Sequence, residues 1–222
     1  MTISDSADAT ARAATPDYEA AAPLTHVGEL DAIYTTCSEA SLVKETERLA
    51  PAYRAVVERA PLAMLATVGE GRLDISPRGD APGFVHVVHD RLLALPDRRG
   101  NNRIDSLRNI VADPRVSLLF VIPGVNETLR IRGLGRITAD EAVCAAHSVQ
   151  GKLPATVLLI DIERVYFQCA RAFMRAQAWD PAGHARRKDL PSAGEMLKQA
   201  HASFDAESYD AALPARQSAT LY

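Results

Sequence analysis

The chain has 222 residues, 47% hydrophobic and 24% charged, which is enough to bury one sizeable core. Its formal net charge of -3 argues against binding to nucleic acid through bulk positive charge, but leaves room for a local basic pocket. No apolar run of about 18 residues predicts a membrane span, and three scattered cysteines without metal-ligand spacing favour reduced thiols in a cytoplasmic protein.

The first 60 residues predict a tail followed by helices. Residues 1–25 are rich in Ala, Thr, Ser and Asp and lack both a periodic pattern and the apolar segment of a secretory signal, so we expect a flexible tail. Thr36 and Glu39 have the spacing of a helix capping box, and Pro51 is typical of the first turn of a second helix. We therefore predict a helical segment over residues 26–60 that packs on the following domain.

From residue 61 the pattern changes to short strands. Seven apolar or alternating runs, separated by Gly, Pro or Asp, follow one another as far as residue 168. In TLRIRGLGRIT (128–138) the alternation is clean, and Gly133 or Gly135 favours a β-bulge. One amphipathic helix, over residues 102–114, interrupts the strands. Six to seven antiparallel strands with flanking helices predict a mainly β fold that closes, or nearly closes, into a barrel over residues 61–168.

The last part of the chain predicts an extension of the barrel. Residues 170–178 are typical of a short helix or an irregular turn. Ser192 and Glu195 have capping-box spacing and predict one further helix, whereas residues 210–222 are expected to be irregular. We treat residues 169–222 as a C-terminal extension that contributes to a dimer interface.

Residues 95–109, LPDRRGNNRIDSLRN, concentrate arginine and asparagine between a predicted strand and a predicted helix. A helix N-terminus offers unpaired N–H groups and a positive dipole end to anions, and the planar guanidinium group suits a phosphate. Gly100 would let the backbone turn closely at this point. The residues of this turn that we predict to contact an anion are Arg98, Arg99, Asn101, Asn102 and Arg103.

A second basic turn, DISPRGDAPG (74–83), places Ser76 and Arg78 at the end of another predicted strand. If the two strands are neighbours in the barrel, Arg78 and Arg103 grip one phosphate from two sides. The alternative is a solvated surface cluster in which these arginines pair with Asp97 and Asp105. The composition alone supports both alternatives equally.

These segments together resemble the pyridoxamine 5′-phosphate oxidase-like superfamily, the FMN-binding split β-barrels. The resemblance is carried by LAMLATVGEGRLDISPRGD, LLALPDRRGNNRIDSLRNIVADPRVSLLFVIPG and TLRIRGLGRIT, in that order, and it covers roughly residues 37–182. The later VYFQCARAFMRAQAWDP is similar to the ending of an uncharacterised bacterial branch. The resemblance implies an antiparallel split barrel.

The resemblance also implies a homodimer with FMN between its subunits, in which the flavin ring carries the chemistry and no protein side chain is catalytic. The residues that it assigns to the phosphate are Ser76, Arg78, Asn102 and Arg103, followed by Asn101, Arg98 and Arg99. It places Pro96 and Asp97 beside the isoalloxazine ring. It implies that Arg175 and Trp179 of one subunit cover the flavin bound by the other. Trp179 is equally compatible with an aromatic residue in the core of the dimer interface.

The function implied by the resemblance is that of an FMN-dependent oxidoreductase acting on a small molecule. The oxidase itself grips the substrate phosphate through an Arg-x-His motif, whereas GHARRKD here has His184 and Arg186 in the opposite order, so another substrate is expected. The alternative is a carrier or sensor that binds FMN, haem or deazaflavin without turnover. A third reading is a purely structural barrel. Neither a metal nor a nucleic-acid partner is predicted.

Overall fold

The structure is a computed structural model, and it describes residues 17–34 and 36–222. The chain divides into two compact units, residues 1–39 and 40–222. In the described part of the first unit, helix α1 (Val27–Ile33) is preceded by a turn in which the Glu29 carboxylate accepts hydrogen bonds from the N–H groups of Thr25 and His26. Residues 1–16 of the predicted tail lie outside the described residues.

The second unit is built on an antiparallel sheet that has seven strands in the described residues. In chain order they are β1 (Leu62–Gly69), β2 (Arg72–Gly79), β3 (His86–His89), β4 (Leu92–Pro96), β5 (Arg115–Val121), β6 (Thr128–Thr138) and β7 (Val157–Gln168). Their spatial order is β2-β1-β5-β6-β7-β4-β3, and every neighbouring pair is antiparallel. The predicted mainly β split-barrel fold is therefore confirmed.

The remaining elements of the second unit are helices, with α2 starting at its boundary. They are α2 (Glu39–Val43), α3 (Pro51–Arg59), α4 (Asp105–Ala112), α5 (Glu141–Ala145), α6 (Arg171–Arg175), α7 (Ala193–Ala200) and α8 (Ala206–Ala219), with 3-10 turns at Pro181–Gly183 and Arg187–Asp189. Among the described residues, no helix is both long and apolar enough to cross a membrane.

The core forms where alternating strand residues meet helices α3 and α4. Along β1, burial alternates, and Leu65 is almost completely inaccessible to solvent. Phe120 of β5 and Val57 of α3 are fully buried in the same cluster. Burying an apolar side chain of this size contributes about 1.5–3 kcal/mol, so these positions fix the sheet and the helices that lie against it. Helix α4 packs against β1, β2 and β6, which brings its first turn to the end of β2.

The register shift between β6 and β7 lies beside Gly133, but the extra residue is Glu163 of β7, so the bulge predicted in the sixth strand belongs to its neighbour. The pairing of β6 with β7 shifts register between Arg132 and Gly133. A Cβ atom at position 133 would overlap the carbonyl oxygen of Asp161, so glycine permits this close approach of the two strands. Bulges increase local twist, which favours closure of a strongly curved sheet.

Two predictions for the C-terminal extension have different outcomes. The capping box of α7 is confirmed, because the Ser192 hydroxyl accepts from the Glu195 N–H and the Glu195 carboxylate accepts from the Ser192 N–H. The irregular tail over residues 210–222 is wrong, since α8 extends to Ala219. The Asp205 side chain caps α8 by accepting from the Ser208 N–H at 3.1 Å, a start signal that the prediction overlooked.

Candidate functional site

A cavity of about 780 Å³ lies where the ends of β2 and β4 meet the start of α4. Its walls come from four parts of the chain: the second half of β2, the segment 97–107, the loop 152–155 before β7, and Tyr222. The volume is within the range typical of small-molecule sites. The cavity is therefore the first candidate for a ligand site.

Eight of the eleven residues predicted to contact a cofactor line this one cavity. They are Ser76, Arg78, Asp97, Arg98, Arg99, Asn101, Asn102 and Arg103. The hairpin of β1 and β2 delivers Ser76 and Arg78, while β4 delivers the turn that follows Pro96. Two turns that are about 20 residues apart in the sequence thus face the same space. Their roles as cofactor ligands stay predictions.

The two basic turns are joined by a crossed pair of salt bridges. Arg78 of the first turn reaches Asp97 of the second at 2.9 Å, and Arg98 of the second reaches Asp80 of the first at 2.8 Å. All four side chains are largely shielded, and Asp80 is only 4% exposed. Charge-assisted pairs of this kind fix the turns in register. The alternative of arginines paired with aspartates therefore correctly describes part of the cluster, although these pairs are not solvated.

Asp80 is the most completely bonded of the four groups. Its carboxylate accepts hydrogen bonds from the Ala81 N–H at 2.7 Å, the Tyr222 hydroxyl at 2.7 Å and Arg98 Nε at 2.8 Å. Burial alone would raise the pKa of Asp80, but these hydrogen bonds and the Arg98 charge outweigh it and lower the pKa. The group therefore stays ionised, and its partner Arg98 also donates to the His147 carbonyl at 2.8 Å.

The turn before α4 is made by Asn102 and not by Gly100. Asn102 has a φ of 60°, in the left-handed region, and the Asn101 side chain accepts from the Arg103 N–H at 3.0 Å. Asparagine tolerates this conformation and forms such local side-chain turns. The prediction that the helix begins near Asn102 is wrong by three residues, because α4 starts at Asp105.

The remaining arginines of the second turn are far more exposed than Arg98. Arg103 has 79% of its side chain exposed and pairs with Asp105 at 2.6 Å, a contact that raises the pKa of Arg103. Arg99 also lines the cavity, and within the described residues it has no carboxylate partner. These two guanidinium groups can turn toward a ligand at little cost, since they give up no buried contact.

The cavity fits an anionic group such as a phosphate. The Nε atom of Arg78 is buried and lacks a hydrogen-bond partner within the described residues. Buried donors are normally satisfied, so this N–H has capacity for an acceptor in the cavity. The surrounding donors are guanidinium and amide groups, and Lys152 also lines the cavity. Such a set suits the oxygens of a phosphate ester.

The sequence model of the pyridoxamine 5′-phosphate oxidase family matches residues 49–169, more than half of the chain. The chain belongs to this family. The matched region begins just before α3 and ends just after β7, so it contains every strand of the sheet and both basic turns. Membership of the pyridoxamine 5′-phosphate oxidase family places the protein in a flavin-binding class of split barrels.

Solved structures similar to this family member are distant in sequence. HupZ from Group A Streptococcus is 22% identical, with a TM-score of 0.43, over 53% of this chain and 91% of its own. General Stress Protein 26 from Bacillus anthracis is 13% identical (TM-score 0.40; 51% and 88% covered), and a FAD-binding protein from Mesorhizobium loti is 17% identical (TM-score 0.38; 55% and 96% covered). No curated protein matches the sequence.

Three predicted site residues lie outside the cavity lining of this single chain. Pro96 ends β4 and pairs with Val157 of β7. Trp179 stacks on Phe173 with ring centroids 5.5 Å apart, and its indole N–H donates to the Val125 carbonyl at 3.0 Å. Arg175 ends α6. A contribution of Arg175 and Trp179 in trans, as the family resemblance implies, stays a prediction.

Ser106, Lys152 and Tyr222 line the cavity but were absent from the sequence prediction. Ser106 is 5% exposed, and its hydroxyl lies 3.1 Å from that of Ser76. A serine in the first helical turn next to a basic loop was a usable signal, which the misplaced helix start obscured. Lys152 and Tyr222 carried no local signal, since each lies more than forty residues from the basic turns.

A pair of histidines adjoins the network around Arg98. The His86 and His147 rings have centroids 4.3 Å apart. Burial lowers the pKa of each histidine, and the Arg98 charge lowers it further. Nδ1 of His147 is buried and without a hydrogen-bond partner in the described part of the chain. Both rings are therefore favoured in the neutral form.

Proposed function

We propose that this protein is an FMN-dependent oxidoreductase of the pyridoxamine phosphate oxidase class whose substrate is a small molecule other than pyridoxamine phosphate. The observation that carries the proposal is the meeting of both basic turns in one cavity, where Arg78 has an unused buried donor. Membership of the family supports a flavin as the cofactor. The order of His184 and Arg186, opposite to that of the oxidase's motif, supports a different substrate.

The residues of this chain would divide the binding task between them. Arg99 and Arg103 would neutralise the phosphate charge, because both are accessible and belong to one turn. Arg78 would donate from a fixed position, since its salt bridge to Asp97 already restricts the side chain. Bound FMN would supply the two-electron redox chemistry of its ring. The protein would then contribute binding, orientation and exclusion of water.

We further propose a cytoplasmic homodimer that holds FMN between its subunits. The family resemblance supports the dimer, and it assigns Arg175 and Trp179 to covering the flavin of the partner subunit. The three thiols, Cys37, Cys144 and Cys169, are free, which supports a reducing compartment. Sedimentation analysis with and without FMN tests the dimer, and a monomer that binds FMN fully would contradict it.

The deciding experiment is FMN titration of the purified protein, followed by addition of NADH or NADPH. Quenching of flavin fluorescence, reduction by one donor and reoxidation by oxygen or a quinone would establish the oxidoreductase. Binding without reduction by either donor would favour the carrier or sensor. A protein that takes up no FMN would refute the proposal. Mass spectrometry of the copurified ligand separates FMN from deazaflavin and haem.

A further inference from the structure

Tyr222 makes hydrogen bonds to two segments of the chain that are distant in sequence and adjoin the cavity. Its hydroxyl donates to Asp80 at 2.7 Å, just beyond the end of β2, and its main-chain carbonyl accepts from the Lys152 ammonium at 2.8 Å, in the loop before β7. Tyr222 also lines the cavity. One residue is therefore anchored to two segments at the edge of this space.

The anchor on the β2 side is rigid before Tyr222 binds to it. Asp80 is 4% exposed and is held by Arg98 and by the Ala81 N–H. An ionised carboxylate that is fixed in this way is a strong acceptor for a phenol. The same hydrogen bond raises the pKa of Tyr222, so the phenol keeps its proton at neutral pH.

The segment that carries Tyr222 is held weakly elsewhere. Helix α8 packs against α7, and within Ala206–Ala219 no side chain is buried. After Ala219 the backbone is no longer helical. Releasing Tyr222 therefore exposes little apolar surface and leaves the barrel core intact, so the cost of opening is set by two hydrogen bonds.

We propose that Tyr222 is a latch beside the cavity: the bonds from Tyr222 to Asp80 and Lys152 narrow the path of a ligand, and exchange is faster when they are broken. Tyr222 is thus a positioning residue that controls the rate of ligand exchange and leaves affinity largely unchanged. Only the choice of FMN as ligand rests on the proposed function. The latch itself depends on the contacts within this chain.

The test is stopped-flow binding of FMN to Tyr222→Phe, with Tyr209→Phe in the preceding helix α8 as the matched control. Tyr209 packs edge-on against Phe204 and does not line the cavity. We expect Tyr222→Phe to raise the association and dissociation rates together by about fivefold, the effect of one average hydrogen bond, with affinity changed by less than about twofold. Unchanged rates, or a faster dissociation alone, would overturn the latch.

A ligand-free measurement separates failure of the latch from failure of the proposed function. In protein labelled with 3-fluorotyrosine, the fluorine resonance of Tyr222 is assigned by its loss in Tyr222→Phe. A resonance displaced from that of unfolded tyrosine, and shifted by Lys152→Met, supports the latch even if FMN does not bind. A resonance at the unfolded position overturns it, whether or not FMN binds.

Discussion

The shielded and the exposed arginines of the two basic turns have different roles, although their local sequences look alike. Arg78 and Arg98 are mostly shielded and cross-linked to Asp97 and Asp80, whereas Arg103 projects into solvent with 79% of its side chain exposed. Removal of water strengthens an ion pair and makes either partner costly to lose. The shielded guanidinium groups therefore hold the two turns together as a brace. The exposed ones are available as donors to a ligand.

The largest effect should follow from breaking the brace. Arg98→Ala leaves the Asp80 carboxylate buried without its cationic partner, and we expect a loss of about 3–5 kcal/mol in the free energy of unfolding. Urea denaturation measures the change, with Arg103→Ala as the exposed control, expected within about 0.5 kcal/mol of the wild type. Equal destabilisation by the two substitutions would contradict the distinction between shielded and exposed arginines.

On the other side of the comparison, Arg103→Ala should weaken FMN binding by about 2 kcal/mol, or roughly thirtyfold, because a charge-assisted contact to the phosphate is lost. Arg103→Lys keeps the charge and loses the planar fork, so its affinity should lie between those of the wild type and the alanine variant. Fluorescence titration gives all three values. Unchanged affinity in a folded Arg103→Ala protein would reject the assignment of this residue.

Ser106 allows a finer test, because it lies at the point where the helix start meets β2. Its buried hydroxyl is 3.1 Å from that of Ser76. We expect Ser106→Ala to weaken FMN binding by about 1 kcal/mol, the usual value of one hydrogen bond. Ser218→Ala in α8 is the exposed control. A Ser106→Ala protein that binds FMN as the wild type does would restrict the site to the basic turns.

The smallest effect concerns the histidines beside the brace. Because the folded state lowers the pKa of His86 and His147, the unfolded chain binds more protons as the pH falls through the ordinary histidine value of 6.5. The free energy of unfolding should therefore be highest above pH 6.5 and should decline below it. Urea midpoints at pH 7.5 and 5.5 measure the decline, and His147→Gln should reduce it. An equal decline in both proteins would contradict the assignment.

Asp80 should not contribute to that decline. Its pKa is lowered in the folded state, so its stabilising effect is complete above the ordinary aspartate value of 3.8 and is lost only as the pH falls through the lower folded value. The two kinds of group therefore act in separate pH windows. A titration that shows a single acid transition, below the ordinary aspartate value of 3.8 and unaffected by His147→Gln, would assign all of the acid sensitivity to carboxylates.

The barrel was the more predictable part of this molecule, and the turns were the less predictable. Alternation in β6 and the glycine at position 133 are local signals, and the strand was predicted, whereas the extra residue of the bulge, Glu163, lies in the neighbouring strand β7. The start of α4 was placed three residues early, because the pattern of apolar residues does not reveal that Asn102 adopts a left-handed conformation. Helix α8 was missed because its weak amphipathicity and internal Pro214 resemble an irregular segment.

The sequence by itself determined the succession of strands, the two basic turns and the resemblance to a flavin-binding family, because periodicity, turn residues and short motifs are local properties. Only the tertiary structure decided which arginine pairs with which aspartate, that Ser106 is buried beside Ser76, and that Tyr222 bonds to Asp80 at the edge of the cavity. These contacts join residues that are distant in the chain. Burial, which sets the strength of each charge–charge contact, exists only once the sheet has closed.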